Sequence, residues 1–220
     1  MSLRNPIRRP LLCYVTDRKS LTGSSGKGHS CLLLDKIEAV GRAGVDWVQI
    51  REKDMSGREM AELVAEALRL VPRACRVVVN DRLDVAMAAD AGGVHLGEAG
   101  LPVNEVRRLV QERNLQSDFH VGVSTHSLEA AMEAQKAGAD YLIFGPVFAT
   151  PSKSGYGTPQ GLGELERVCQ SVSLPVLAIG GVTLENAGAC LAAGACGVAA
   201  IRLFQDAADP TAVVTEMRQM

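Results

Sequence analysis

Eight short apolar runs, amphipathic stretches between them and a recurring Ala-Gly joint predict an α/β chain folded as a single (β/α)8 TIM barrel. Residues 1–220 read as one domain, with 1–10 an N-terminal extension and 18–30 a mobile loop over the barrel mouth. Runs that are apolar on both faces and alternate with helices imply a parallel sheet. A doubly wound open sheet is the alternative. The count of eight units, and the lack of G-x-G-x-x-G after the first run, favour the barrel.

In chain order the runs are Leu11–Thr16, Trp47–Arg51, Arg76–Asn80, Gly93–Gly97, Phe119–Ser124, Tyr141–Val147, Pro175–Gly180 and Gly197–Leu203. Helical spacing fills the gaps. Ser56–Val71 carries apolar residues at Met60, Leu63, Val64, Ala67 and Leu68, and Ser127–Ala137 and Pro210–Gln219 follow the same logic. The joint is A-G-V-D before the second run, A-G-G before the fourth, A-G-A-D before the sixth and A-G-A-C before the eighth. In each, glycine is free to take the left-handed conformation that ends a helix.

Composition narrows the function. A formal net charge of −2 gives no broad footprint for nucleic acid, so any anion site must be local. No apolar run approaches the roughly 20 residues that span a bilayer. The six cysteines form no C-x-x-C pair and sit mostly in apolar surroundings, which points to reduced, buried thiols in a cytoplasmic protein rather than to zinc. The expected partners are small-molecule phosphates, with no nucleic acid and no membrane; a homo-oligomer stays open.

A barrel collects its chemistry at the C-terminal ends of its strands. Asp46 to Asp54 reads D-W-V-Q-I-R-E-K-D. If extended geometry persists to Lys53, then Gln49, Arg51 and Lys53 share one face, because strand side chains alternate. Two cations at the end of a buried strand need water, a carboxylate or an anionic ligand, and Glu52 or Asp54 is the unremarkable choice. The other ends carry Thr16-Asp17, Asn80-Asp81, His95 with Glu98, Ser124-Thr125-His126, then Thr150, Ser152 and Lys153, then Gly180-Gly181, and finally Arg202. Helix capping by Asn80-Asp81 and by Ser124, Thr125 or Ser127 is the plain alternative, and His95 reads as a packed, hydrogen-bonded histidine.

Two stretches suit phosphate. Ile179-Gly180-Gly181-Val182-Thr183 ends a strand in paired glycines before a helix, where bare N–H groups and the helix terminus favour an anion. The Ala149–Gly157 stretch offers hydroxyls and Lys153 and suits a lid over a diphosphate. Gly23–Gly28 imitates a nucleotide P-loop, but its spacing is G-x-x-G-K and Gly28 replaces the required Ser or Thr.

With these residues in place the chain resembles the thiamine-phosphate synthase and thiazole tautomerase (TenI-like) family. The matching motifs are Q-I-R-E-K at 49–53, N-D-R-L-D-V-A at 80–86, G-V-H-L-G at 93–97, G-V-S-T-H-S at 122–127, G-A-D-Y-L-I-F-G-P-V-F at 138–148, T-P-S-K at 150–153 and I-G-G-V-T at 179–183. The resemblance implies a synthase that joins hydroxymethylpyrimidine diphosphate to a thiazole phosphate through a pyrimidine carbocation. Arg51, Lys53, Asn80 and Lys153 would then hold diphosphate, with Mg2+ on Asp81. Gln49 and Ser124 would line the pyrimidine pocket, Thr150 and Ser152 would lie near the substrates, and Gly180 and Gly181 would take the thiazole phosphate. It equally implies a tautomerase, in which His126 moves a proton on a thiazole carboxylate phosphate. A third reading is a barrel that binds pathway phosphates without catalysis.

The chain departs from the synthase pattern in three places. Gly100 stands where a second acidic metal ligand is expected, leaving Glu98 as substitute. Arg202 stands where a serine usually ends the eighth strand. The stretches H-S-L-E-A-A and G-L-P-V look more like the tautomerase branch. Lys53 and the Asn80-Asp81 pair favour the synthase, because a tautomerase has no diphosphate to hold.

Overall fold

The computed structural model describes residues 10–21, 28–113, 118–150 and 158–220. Eight strands close into one parallel barrel in sequence order: β1 Leu11–Val15, β2 Trp47–Ile50, β3 Arg76–Asn80, β4 Gly93–Leu96, β5 His120–Thr125, β6 Tyr141–Phe144, β7 Val176–Ile179 and β8 Gly197–Ala200. β8 pairs back onto β1 with Leu11 beside Gly197, and no edge is left open. The expected barrel is therefore present. The helices among the described residues are α1 His29–Ala43, α2 Gly57–Leu70, α3 Leu83–Ala88, α4 Val103–Glu112, α5 Leu128–Lys136, α6 Gly161–Ser171, α7 Leu184–Ala192, α8 Arg202–Gln205 and α9 Pro210–Arg218.

Alternation along the strands sorts side chains into two cores. Leu11, Cys13, Val15, Trp47, Tyr141, Ile143, Leu177 and Ala199 fill the barrel interior. Leu12, Tyr14, Val48, Ile50, Val77, Val79, Val94, Leu142 and Phe144 face outward against the helices. Each fully buried Leu or Ile contributes about 1.5–3 kcal/mol relative to exposure, so the helix layer is the larger share. The outward residues are the reason the strands read as continuous apolar runs.

The local signals act as their chemistry requires. Ser56 caps α2 in a reciprocal box, its hydroxyl accepting from Glu59 N–H at 3.3 Å while Ser56 N–H donates to Glu59 at 2.8 Å. Ser127 caps α5 through Ala130 N–H. Gly44, Gly138 and Gly194 take φ of 101°, 96° and 97°, the left-handed cap expected at three of the joints. At the A-G-G joint that conformation falls instead on Asp90, at φ 54°.

Three expectations need correction. Extended geometry does not persist to Lys53, since β2 stops at Ile50 and Lys53 lies in an exposed turn. Glu52, buried on the outward face of the strand end, holds the turn. It is 4% exposed, accepts the Thr16 hydroxyl at 2.7 Å and Arg18 N–H at 3.0 Å, and pairs with the Arg18 guanidinium at 3.2 Å. The 18–30 stretch is also not one loose loop. Arg18–Ser20 form a 3-10 turn anchored by those contacts, and α1 already includes His29 and Ser30; residues 22–27, with most of the P-loop imitation, lie outside the described residues. Finally, β8 ends at Ala200 rather than Leu203, because Ile201 turns helical and α8 begins. That turn buries Gln205, which accepts the Tyr14 hydroxyl at 2.8 Å and donates to Asp17 O and Ser20 Oγ.

Candidate active site

β2, β3 and β4 together build one row of side chains at the mouth. Gln49 Nε2 donates to Asn80 Oδ1 at 3.0 Å, Asn80 Nδ2 donates to Asp81 Oδ2 at 2.7 Å, and Gly97 N–H donates to Asp81 Oδ1 at 2.6 Å. The carboxylate can only accept, so it fixes both amides in turn. Gln49 Oε1 is left as a buried acceptor without a hydrogen-bond partner. Such an atom costs about 1–3 kcal/mol unless a ligand donor reaches it. Asp81 does not cap α3. Its backbone takes φ 58°, its N–H donates to His95 O at 2.8 Å, and its side chain turns toward the loop after β4.

The cations separate into spent and unspent. Arg18 engages Glu52 and Asp54, and Lys19 engages Asp54, which that pairing holds far below the ordinary carboxylate range. The carboxylates expected to neutralise Arg51 and Lys53 are therefore taken by other partners. Arg51 is half-buried, anchored by its backbone N–H on Thr16 Oγ1 at 2.9 Å, and its guanidinium has no carboxylate partner among the described residues. Lys53 is exposed and likewise unpaired among them.

β5 adds Ser124, Thr125 and His126. Ser124 Oγ lies 2.9 Å from His95 Nε2, and His95 Nδ1 lies 3.2 Å from the Tyr141 hydroxyl. Burial, aided by the nearby Arg51 charge, lowers the His95 pKa to about 3, so the ring is neutral. His95 is thus the packed, hydrogen-bonded histidine that was expected. His126 Nδ1–H donates to Gly145 O, which fixes the ring and leaves Nε2 outside that bond.

The β7 side is built from backbone. Gly180 and Gly181 sit at φ 95° and 64°. A Cβ on Gly180 would lie 2.5 Å from Pro146, and one on Gly181 would lie 2.5 Å from Ala149 O, so only glycine fits. The loop is tied by Phe148 N–H to Gly180 O at 3.0 Å and by Asn186 Nδ2 to Gly181 O at 2.9 Å. The N–H groups of Gly181 and Val182, directly before α7, have no partner among the described residues. Arg202 opens α8 and is exposed, and Thr150 is half-buried beyond β6. Ser152 and Lys153 lie outside the described residues.

A metal fits this site through Asp81 alone. Each of its oxygens accepts one N–H, which leaves lone pairs for a hard cation. Glu98 is exposed and its side chain makes no hydrogen bond or ion pair among the described residues. A Cβ on Gly100 would lie 3.0 Å from Asp81 Oδ1, so a second carboxylate there would stand beside the first. No cluster of three or more His, Cys, Asp or Glu suited to a metal occurs among the described residues.

The sequence pattern of the family described as thiamine monophosphate synthase matches residues 12–204. The chain belongs to this family. It is 40% identical over 216 residues to the thiamine-phosphate synthase of Roseiflexus castenholzii, covering 96% of this chain and 89% of that one. It is 41% identical over 198 residues to the enzyme of the same name from Chloroflexus aurantiacus, covering 90% and 87%. Among solved structures it superposes on a thiamine phosphate pyrophosphorylase from Pyrococcus furiosus with a TM-score of 0.81 at 32% identity, covering 99% and 96%. The Gln49–Asn80–Asp81 row and the glycine loop lie inside the matched span.

Sequence reasoning missed Glu52 and Tyr141. Glu52 was visible only as one acid between two cations, yet an acid next to a buried strand and on its outward face was a signal. Tyr141 gave no local signal, because its partner is 46 residues away.

Proposed function

We propose that this chain is a thiamine-phosphate synthase, joining hydroxymethylpyrimidine diphosphate to a thiazole phosphate with release of diphosphate. One observation carries the residue assignment: Arg51, two residues beyond Gln49 at the end of β2, is half-buried, has no carboxylate partner among the described residues and lies near enough to His95 for its charge to act on that ring. Arg51, with Lys53 and Lys153, holds the diphosphate as its C–O bond to the pyrimidine methylene breaks. Fixed cations of this kind lower the barrier most where negative charge grows. Gln49 Oε1 accepts from the pyrimidine amino group. The Gly181 and Val182 N–H groups hold the thiazole phosphate, which brings the thiazole nitrogen to the carbocation. Asp81 would hold Mg2+, which would supply charge neutralisation for the leaving diphosphate.

Purified protein with Mg2+ should release inorganic diphosphate when given both substrates. No release above background at high enzyme concentration would sink the assignment. A second reading, the thiazole tautomerase, rests on His126, whose Nδ1–H is engaged by Gly145 O so that Nε2 is the nitrogen left to exchange a proton with substrate. That activity would survive a chelator and collapse in His126→Ala, whereas the synthase would show the opposite pattern.

A further inference from the structure

The Tyr141 hydroxyl has one polar neighbour among the described residues, His95 Nδ1 at 3.2 Å. Its ring is fully buried, 4.5 Å by centroid from Trp47 and packed over Gly122, where a Cβ would lie 2.0 Å from the ring. No second hydrogen-bond acceptor reaches it among the described residues, and a buried O–H without an acceptor is costly. The hydroxyl must therefore donate to Nδ1. If Nδ1 carried a proton instead, in either the neutral or the charged ring, the Tyr141 O–H would be orphaned. Nδ1 is then the acceptor and the ring proton sits on Nε2. Nε2–H donates to Ser124 Oγ at 2.9 Å. Ser124 already accepts from His95, so its own hydrogen points elsewhere, and it has no other partner among the described residues.

We propose that Tyr141 fixes His95 in the Nε2–H form, so that Ser124 at the end of β5 is left with its own hydroxyl hydrogen to donate into the barrel mouth. Tyr141 and His95 are positioning residues, since neither needs to touch substrate. Ser124 is selected as a donor for an electronegative atom of the ligand, a diphosphate oxygen or a pyrimidine ring nitrogen. The step from Ser124 to substrate rests on the synthase reading above. The tautomer does not.

The test has two arms. Histidine side-chain 1H–15N correlation on the full-length, 15N-histidine-labelled protein reports each ring's tautomer. The four histidines are few enough to assign His95 by difference against His95→Gln. The expected pattern is a protonated Nε2 and a bare Nδ1, changed in Tyr141→Phe; a protonated Nδ1 in the wild-type protein overturns the proposal, whatever reaction the protein performs. In the kinetic arm, Tyr141→Phe should lower kcat about tenfold with little change in KM, the scale of one misdirected hydrogen bond. His95→Gln, which keeps an N–H donor, should retain more activity than His95→Ala. Ser124→Ala should cost much less in the Tyr141→Phe background than alone. Full additivity with the expected tautomer present would overturn the link from Tyr141 to Ser124. Absence of diphosphate release from the wild-type protein would count against the synthase reading alone.

Discussion

On the β2–β5 side of the mouth, side-chain hydrogen bonds join Gln49, Asn80 and Asp81 in one row and His95 with Ser124 in another, and Arg51 has no carboxylate partner among the described residues. On the β7 side, two glycines and the start of α7 present bare N–H groups, and the Asn186 side chain ties the loop by donating to the Gly181 carbonyl. Side chains place charge and direction; backbone places a close, uncharged cradle. The first kind of site fails when one functional group is removed. The second fails when a group is added. Substitutions on the two sides should therefore differ in what they damage.

The largest effect is expected on the side-chain half. Arg51→Ala removes the unneutralised cation and should lower kcat/KM for diphosphate release about 10³-fold, the upper range for losing one preorganised electrostatic group. Its melting temperature should change little, since no carboxylate among the described residues depends on it. A loss below tenfold in a steady-state assay would shift the leaving-group role elsewhere. Gly181→Ala tests the backbone half. At φ 64° and 2.5 Å from Ala149 O, the added Cβ costs roughly 1–2 kcal/mol in backbone strain plus the clash. We expect a melting temperature lower by several degrees and a KM for the thiazole phosphate raised more than tenfold. A fall in kcat alone would contradict the cradle.

How far each half can be read from sequence follows the same division. The glycine pair, the Ala-Gly joints and the Ser127 cap are local rules, and the chain obeys them because each depends on a few neighbouring residues. Strand alternation and the barrel rule put Gln49, Asn80 and Asp81 at strand ends, where hydrogen bonds join them. Lys53 is not placed correctly, because Glu52 bends the chain by binding Thr16 and Arg18, 36 and 34 residues earlier. The same holds for β8, shortened by a helical turn whose buried Gln205 reaches Tyr14 across 191 residues. Contacts of that range have no signature in a single sequence.

Acid offers a probe of the side-chain half that needs no mutation. Burial holds the His95 pKa at about 3, below its ordinary 6.5, so the unfolded chain binds a proton that the folded one refuses. Stability from this group is complete above pH 6.5 and is lost as pH falls toward 3. The slope is about 1.4 kcal/mol per pH unit, or about 2 kcal/mol by pH 5. Urea unfolding at pH 7 and pH 5 should show that loss, and His95→Gln should flatten it. An equal loss in the variant would assign the acid sensitivity to other groups.

Gly100 is the exception on the side-chain half, a glycine where a side chain would reach the carboxylate. Its φ lies outside the left-handed region, so the backbone accepts other residues. Gly100→Asp would set a second carboxylate beside Asp81, with its Cβ 3.0 Å from Asp81 Oδ1 and from Gly97 O. Without metal the paired charges and tight contact should destabilise the protein by about 1 kcal/mol. With Mg2+ and inorganic diphosphate present the same charges become ligands, and calorimetric affinity for the ion should rise a fewfold. A tighter metal site bought with apo stability is the expected sign; unchanged or weaker binding would mean that the ion does not sit against Asp81, and that the cationic residues carry the leaving group without it.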